Sequence, residues 1–227
     1  IFSITTLLIS IPIAEMVFLY IATLYGGSIR LDSPMLWALG FIAEFLIGGV
    51  TGIFLGSSGT DIYLHDTYFV IAHFHYTFVP IAIISVFAGI YFWYPKMFGR
   101  MMNETLGKIH FWGTVIPFNV IFIPLFMTGI AGDQLRVYSY AQFAEQAKPA
   151  LQHLRTTSTI ALLVMLVFQV FFIFNFFWSL RNGKRAEANP WKSTTLEWTV
   201  PSPPPLLPPD LGMLEHAQSQ QHRGGWA

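Results

Sequence analysis

The sequence predicts an all-α, polytopic membrane protein: a bundle of five transmembrane helices followed by a Pro-rich C-terminal tail. Three observations carry this reading. Of 227 residues, 54% are hydrophobic and only 11% charged, with a mean hydropathy of +0.54, far from ordinary soluble composition. Five apolar runs, at 2–25, 35–57, 67–94, 109–130 and 158–180, each reach the ~20 residues needed to cross a hydrocarbon core of ~30 Å. Turn-rich or polar segments separate them: "YGGSIRLDSP", "GSSGTDIYLHD", "PKMFGRMMNET" and the longer "GDQLRVYSYAQFAEQAKPALQHLRTT".

In chain order, the first run contains Pro12, a proline tolerated and kinking in a membrane helix. The second carries Gly48, Gly49 and Gly52, small residues that mark close helix packing. Pro80 kinks the third, and Pro117 and Pro124 the fourth. The fifth holds "VFFIFNFFW" at 170–178, read as lipid or subunit contact. Residues 1–181 thus form the bundle. From residue 182 to 227 the chain is polar, with "PSPPPLLPPD" at 201–210, which favours an extended conformation lying along a partner or in solvent.

Basic residues orient the bundle. Arg30, Lys96, Arg100, Lys108, Arg181, Lys184 and Arg185 flank one side, and Arg136, Lys148 and Arg155 the other. The 94–108 loop and the tail are therefore expected on the cytoplasmic side, or on the matrix side of an organelle membrane; of the two settings, the bacterial cytoplasmic membrane is expected over the mitochondrial inner membrane. The formal net charge is zero, so nothing points to nucleic acid, and cysteine is absent. Any metal must use histidine, carboxylate or carbonyl ligands. The chain opens on "IFSITTLLIS", with no initiator Met and no charged n-region; it reads as beginning inside a larger polypeptide, or as preceded by a partner chain.

The chemistry concentrates in "HDTYFVIAHFHYTFVP", residues 65–80. Imidazoles and carboxylates are costly in hydrocarbon and must be satisfied. His73 and His75 are two residues apart, so on a helix they project about 200° from each other. One helix can then serve two sites. His65 and Asp66 precede them by about two turns, roughly 12 Å along a helix axis, at the outer boundary. Two readings stand for His73 and His75: each is hydrogen-bonded to a neighbouring helix, or each is the axial ligand of a flat aromatic cofactor on its own face.

The segment "LHDTYFVIAHFHY" at 64–76 closely resembles the tenth helix of the catalytic subunit of haem-copper oxidases, and "IATLYGG" (21–27), "SPMLWALGF" (33–41), "GGVTGIFLGSS" (48–58), "KIHFW" (108–112) and "TLEW" (195–198) follow the same family order. The resemblance covers nearly the whole chain and corresponds to helices eight to twelve of twelve. It implies a respiratory terminal oxidase that reduces dioxygen to water and translocates protons. By the same resemblance, His73 is the axial, catalytic ligand of a high-spin haem, and His75 an axial ligand of a low-spin haem. His65 and Asp66 bind magnesium, and Arg136 pairs with a haem propionate. The cofactors implied are two a-type haems, magnesium, and copper whose ligands are not in this chain. The partners implied are the N-terminal half of the subunit, an electron-donating subunit II, other oxidase subunits, cytochrome c or a similar donor, and membrane lipids. Two rivals remain: a nitric oxide reductase on the same scaffold, and a non-catalytic haem-carrying scaffold subunit.

The chain departs from the family's pattern in three places. Two adjacent arginines are usual near Arg136; here the sequence reads "QLRVY". The family's proton-uptake lysine of helix eight falls at Met16, beside Glu15, and Glu44 interrupts "WALGFIAEFLIGG". Glu15 and Glu44 are expected at similar depth on neighbouring helices, either as an alternative proton-uptake pair or as separate carboxylates facing another subunit or interfacial water.

Overall fold

The computed structural model describes residues 1–138 and 148–205. Five helices are long and apolar enough to cross a membrane among the described residues. Helix α1 runs Phe2–Leu24 and α2 Ser33–Gly56, where Asp32 stands at the N-cap and Pro34 in the first turn. Proline belongs there because its missing N–H has no intrahelical acceptor in any case. A short helix α3, Ser58–Leu64, occupies the segment expected to be only turn. It is followed by α4, Tyr68–Val79, capped by the Thr67 hydroxyl, which accepts from the Phe69 N–H. A π turn at Pro80–Ile84 leads without a break into α5, Ser85–Phe98. The ring of Pro80 supplies no N–H, and the wider turn accommodates the gap in the ladder. Helix α6 spans Glu104–Ile130, capped by Asn103, and α7 spans Lys148–Asn182.

The chain divides into two compact units, residues 1–92 with 103–177, and residues 93–102 with the segment from 178 onward. Within the first, α4 packs on both α2 and α6, and α1 on α2. Its core joins Ala72 and Tyr76 of α4, Phe118, Ile121 and Phe122 of α6, and Ala161 of α7. Tyr76 and Phe118 meet edge to face at 5.1 Å, a favoured geometry for aromatic pairs. Gly113 lets the Phe168 ring lie directly on the α6 backbone. His110 is fully buried as a structural residue: its Nε2–H donates to Gln169 Oε1 at 3.1 Å, so Nδ1 accepts from the Tyr91 hydroxyl at 3.2 Å.

In the second unit the beginning of the tail is held in place. Lys96 Nζ donates to the carbonyls of Val200 (2.8 Å) and Pro201 (3.2 Å) and lies over the Trp198 ring. Arg100 Nη1 donates to the Gly183 carbonyl at 2.7 Å. Residues 182–205 therefore do not simply run extended, and Trp198 is buried. The remainder of the predicted tail, 206–227, lies outside the described residues.

Candidate functional site

Helix α4 is built with three kinds of side. Phe69, Ala72 and Tyr76, spaced three and four apart, are buried, whereas Phe74 and Phe78 are half exposed and stack on each other at 5.6 Å. His73 and His75 lie on the two flanks between. The His73 ring meets α2, with Nδ1 at 3.0 Å from the Gly48 carbonyl and 3.1 Å from Thr51 Oγ1. The His75 ring stacks on Phe122 of α6 at 4.3 Å, and its Nδ1 lies 2.8 Å from the Ile71 carbonyl. The two-residue spacing thus separates them as helix geometry requires.

A carbonyl oxygen only accepts, so in both rings Nδ1 carries the hydrogen and Nε2 keeps the lone pair. This is the tautomer of an imidazole metal ligand whose second nitrogen is held by a carbonyl. Gly52 makes room for it: a Cβ there would come within 2.9 Å of His73 Cε1.

At the N-terminal end of α4 the structure differs from a continuous helix. His65 closes α3, Asp66 has φ 55°, and α4 begins only at Tyr68. His65 and Asp66 therefore stand on a sharp turn instead of two helical turns below His73. His65 lies 3.7 Å from both Asp61 and Asp66, and all three side chains are at least partly exposed. Asp61, four residues ahead of His65 on a short helix, is a member of this cluster that the turn-like composition concealed. The cluster contributes few donors: among the described residues no group of three histidine, cysteine or carboxylate side chains is placed to hold a metal ion. The loop after α6 docks on the same turn. Leu135 N donates to the Asp66 carbonyl at 2.7 Å and Tyr68 N to the Asp133 carbonyl at 3.0 Å. Arg136, exposed and with φ 59°, belongs to that loop.

The loop is anchored by a pair that sequence reasoning missed. The Asp133 carboxylate, 2% exposed as a residue, accepts two bonds from Arg155 of α7, from Nη2 at 2.6 Å and Nε at 2.8 Å. Bidentate geometry is what makes a buried ion pair worth its desolvation. Asp133→Asn is expected to destabilise the protein by about 3–5 kcal/mol, the typical loss when one partner of a buried pair is removed. Asp133→Asn with Arg155→Met should recover much of it, because no charge is then stranded. Thermal unfolding of the two variants checks this; equal losses in both would remove the pair from the account.

The structure does not bring Glu15 and Glu44 together. Glu15 is exposed on α1. Glu44, 3% exposed, instead faces α6, where Oε1 accepts from Asn119 Nδ2 at 2.6 Å. Asn119 Oδ1 in turn accepts from the Tyr76 hydroxyl at 2.8 Å. Glu44 Oε2 is buried without a hydrogen-bond partner among the described residues.

A family model described as cytochrome c and quinol oxidase polypeptide I matches residues 1–164. The chain belongs to this family. It is 43% identical over 203 residues to "Cytochrome c oxidase subunit 1" of Synechocystis sp., covering 89% of this chain and 36% of that protein. It is 44% identical over 204 residues to "Alternative cytochrome c oxidase subunit 1" of Bradyrhizobium diazoefficiens, covering 90% and 34%. With "Quinol oxidase subunit 1" of Bacillus subtilis the identity is 48% over 139 residues, covering 61% and 21%. The chain therefore spans about a third of the length, or less, of these curated relatives. Five helices long enough to cross a membrane and bacterial relatives make this oxidase polypeptide I family member an integral bacterial membrane protein. Its histidines fit the haems that the family implies. His73 and His75 both carry the lone pair on Nε2, on opposite flanks of one helix, and the His75 ring lies against Phe74 and Phe122.

Proposed function

We propose that this chain supplies the haem-holding portion of the catalytic subunit of a haem-copper terminal oxidase, which reduces dioxygen to water and couples this to proton translocation. The observation that carries the proposal is the matched pair of imidazoles, each locked by a carbonyl at Nδ1 and offering Nε2, on the two flanks of α4. His73 would hold the haem at which oxygen is reduced, and His75 the low-spin haem that delivers electrons to it. The haems and copper supply the redox chemistry; the chain supplies orientation. The Gly48 carbonyl keeps the His73 lone pair on Nε2, and Phe122 fixes the plane of His75 by stacking. Phe74, between the two histidines in sequence and half exposed, lies edge-on to the His75 ring at 4.8 Å.

Arg136 would neutralise a haem propionate at the outer end, and His65 and Asp66 would donate to magnesium. A magnesium ion keeps near-octahedral coordination and several waters, so two protein donors on an exposed turn are chemically sufficient to start such a site. Copper ligands, a further ligand for the haem at His75, subunit II and the remaining oxidase subunits would complete the centre from outside this chain. Relatives named for both cytochrome c and quinol exist, so the proposal is for a terminal oxidase with either donor.

The test is a reduced-minus-oxidised spectrum of the purified complex, with and without carbon monoxide, alongside copper quantification. Two haems, one of them CO-reactive, with stoichiometric copper are expected. A single CO-silent haem, or none, would overturn the catalytic reading in favour of a scaffold subunit.

A further inference from the structure

The Glu44 carboxyl is a buried titratable group to which the site above assigns no task. It sits on α2 four residues before Gly48, whose carbonyl binds His73 Nδ1, so one helical turn, about 6 Å along the axis, separates it from the residue that holds His73. Its single side-chain hydrogen bond among the described residues comes from Asn119, which spends its other Nδ2 hydrogen on the Val115 carbonyl and its Oδ1 on the Tyr76 hydroxyl. No ion pair joins Glu44 to a cation among the described residues. An ionised carboxylate with one oxygen wholly unpartnered is far more costly in such a place than an acid whose hydroxyl lacks an acceptor. The neighbouring elements supply no counter-charge to change this balance. On α4 the titratable groups nearest are Tyr76, joined through Asn119, and His73. On α6 the facing group is the neutral Asn119, and His110 meets Trp37, seven residues earlier on α2. On α1 Glu15 is exposed, and Tyr20 meets Phe41 edge-on at 5.9 Å. The carboxylate of α3, Asp61, lies beyond the far end of α2, and the π turn carries no titratable side chain.

We propose that Glu44 is an internal proton-binding site, linked through Asn119 to Tyr76, whose proton occupancy answers to the charge on the group held by His73. A proton drawn from water forms the Oε2–H bond and returns to water when that bond breaks. Positive charge at His73 favours the ionised carboxylate; an electron added there favours the acid. The coupling is reciprocal, so the proton at Glu44 makes reduction at His73 easier by the same factor.

This rests on the haem reading of His73, and the experiment separates the two. Infrared difference spectra of the whole oxidase complex, oxidised and reduced, would be recorded in H2O and D2O for wild type, Glu44→Gln and Tyr76→Phe. The wild type is expected to gain a protonated-carboxyl C=O band on reduction. Glu44→Gln should lose that band, and Tyr76→Phe should shift its frequency without removing it. The midpoint potential of the CO-reactive haem should fall as pH rises, and less steeply in Glu44→Gln. A complex with both haems in which Glu44→Gln leaves every carboxyl band and the pH slope unchanged overturns this inference alone. So does a Glu44 band of equal intensity and frequency in both redox states. A complex with no CO-reactive haem overturns the reading of His73 instead, and in it the static carboxyl band missing from Glu44→Gln would still report a protonated Glu44.

Discussion

Replacing His75 by alanine in the assembled complex is expected to abolish the low-spin haem spectrum while leaving the CO-reactive haem in place, and His73→Ala to do the reverse. Selectivity is the strong part of this expectation. The two rings share a helix but no partner: His73 is held by Gly48 and Thr51 of α2, and His75 by the Ile71 carbonyl and the face of Phe122. Loss of one ring therefore leaves the other's tautomer and plane intact. The loss should exceed the 10–100-fold typical of removing an outer hydrogen-bond partner of a metal ligand, since the ligand atom itself goes. Thr51→Val supplies the comparison. It removes the 3.1 Å contact but leaves the carbonyl at 3.0 Å, so haem content should fall by no more than that 10–100-fold range. Pigment spectra normalised to protein read all three variants. Retention of both haems at full stoichiometry in His73→Ala and His75→Ala would remove these residues from the axial positions.

The membrane architecture was largely visible in the chain because hydrocarbon thickness imposes a length that a run of apolar residues reports directly. The second run, expected at 35–57, is helix Ser33–Gly56, and the fourth, expected at 109–130, is Glu104–Ile130. The error grows where helix leaves hydrocarbon. The fifth, expected at 158–180, is Lys148–Asn182, whose opening "KPALQHLRTT" is too polar to register as a span. Helix α3 escaped for the same kind of reason: its Ser and Gly residues signal a turn, and seven residues carry no readable period.

At the site, what depended on spacing along one helix was legible and what depended on rotation or distant partners was not. The opposite flanks of His73 and His75 follow from two residues at about 100° each. The left-handed conformation of Asp66 does not follow from its identity, and it detaches His65 from the axis of α4. Glu15 and Glu44 lie on helices that do pack together, but a helix apolar on nearly every side has no pattern to reveal which way a given residue turns. The partner that Glu44 finds, Asn119, is 75 residues away. Arg155 likewise reads as one more boundary charge until the fold sets it against Asp133.

Gly48→Ala is expected to destabilise the protein and to disturb the His73 haem, whereas Gly49→Ala is expected to do neither. A Cβ on residue 48 would lie 2.5 Å from the Tyr76 carbonyl oxygen, 2.7 Å from its carbon and 2.8 Å from Thr77 Cγ2. The first two are backbone and cannot turn aside, so α2 and α4 must part by about an ångström to reach ordinary contact near 3.5 Å. Overpacking of this kind costs about 1–3 kcal/mol, against which the better helix propensity of alanine returns about 1 kcal/mol. A Cβ on residue 49 meets nothing within 4 Å, so only the propensity gain of about 1 kcal/mol remains there. The consequence for the site exceeds the consequence for stability. Residue 48 is also the acceptor for His73 Nδ1 at 3.0 Å, and moving it away by that amount carries the pair past the ~3.2 Å limit of a good N–H···O bond. The His73 ring then loses the contact that sets its tautomer, and the CO-reactive haem should show a lower content and a shifted spectrum while the low-spin haem of His75 does not. Thermal unfolding and paired spectra of the two alanine variants decide the matter. If they prove equally stable and spectrally identical, the close approach of α2 to α4 is not what holds His73 in place.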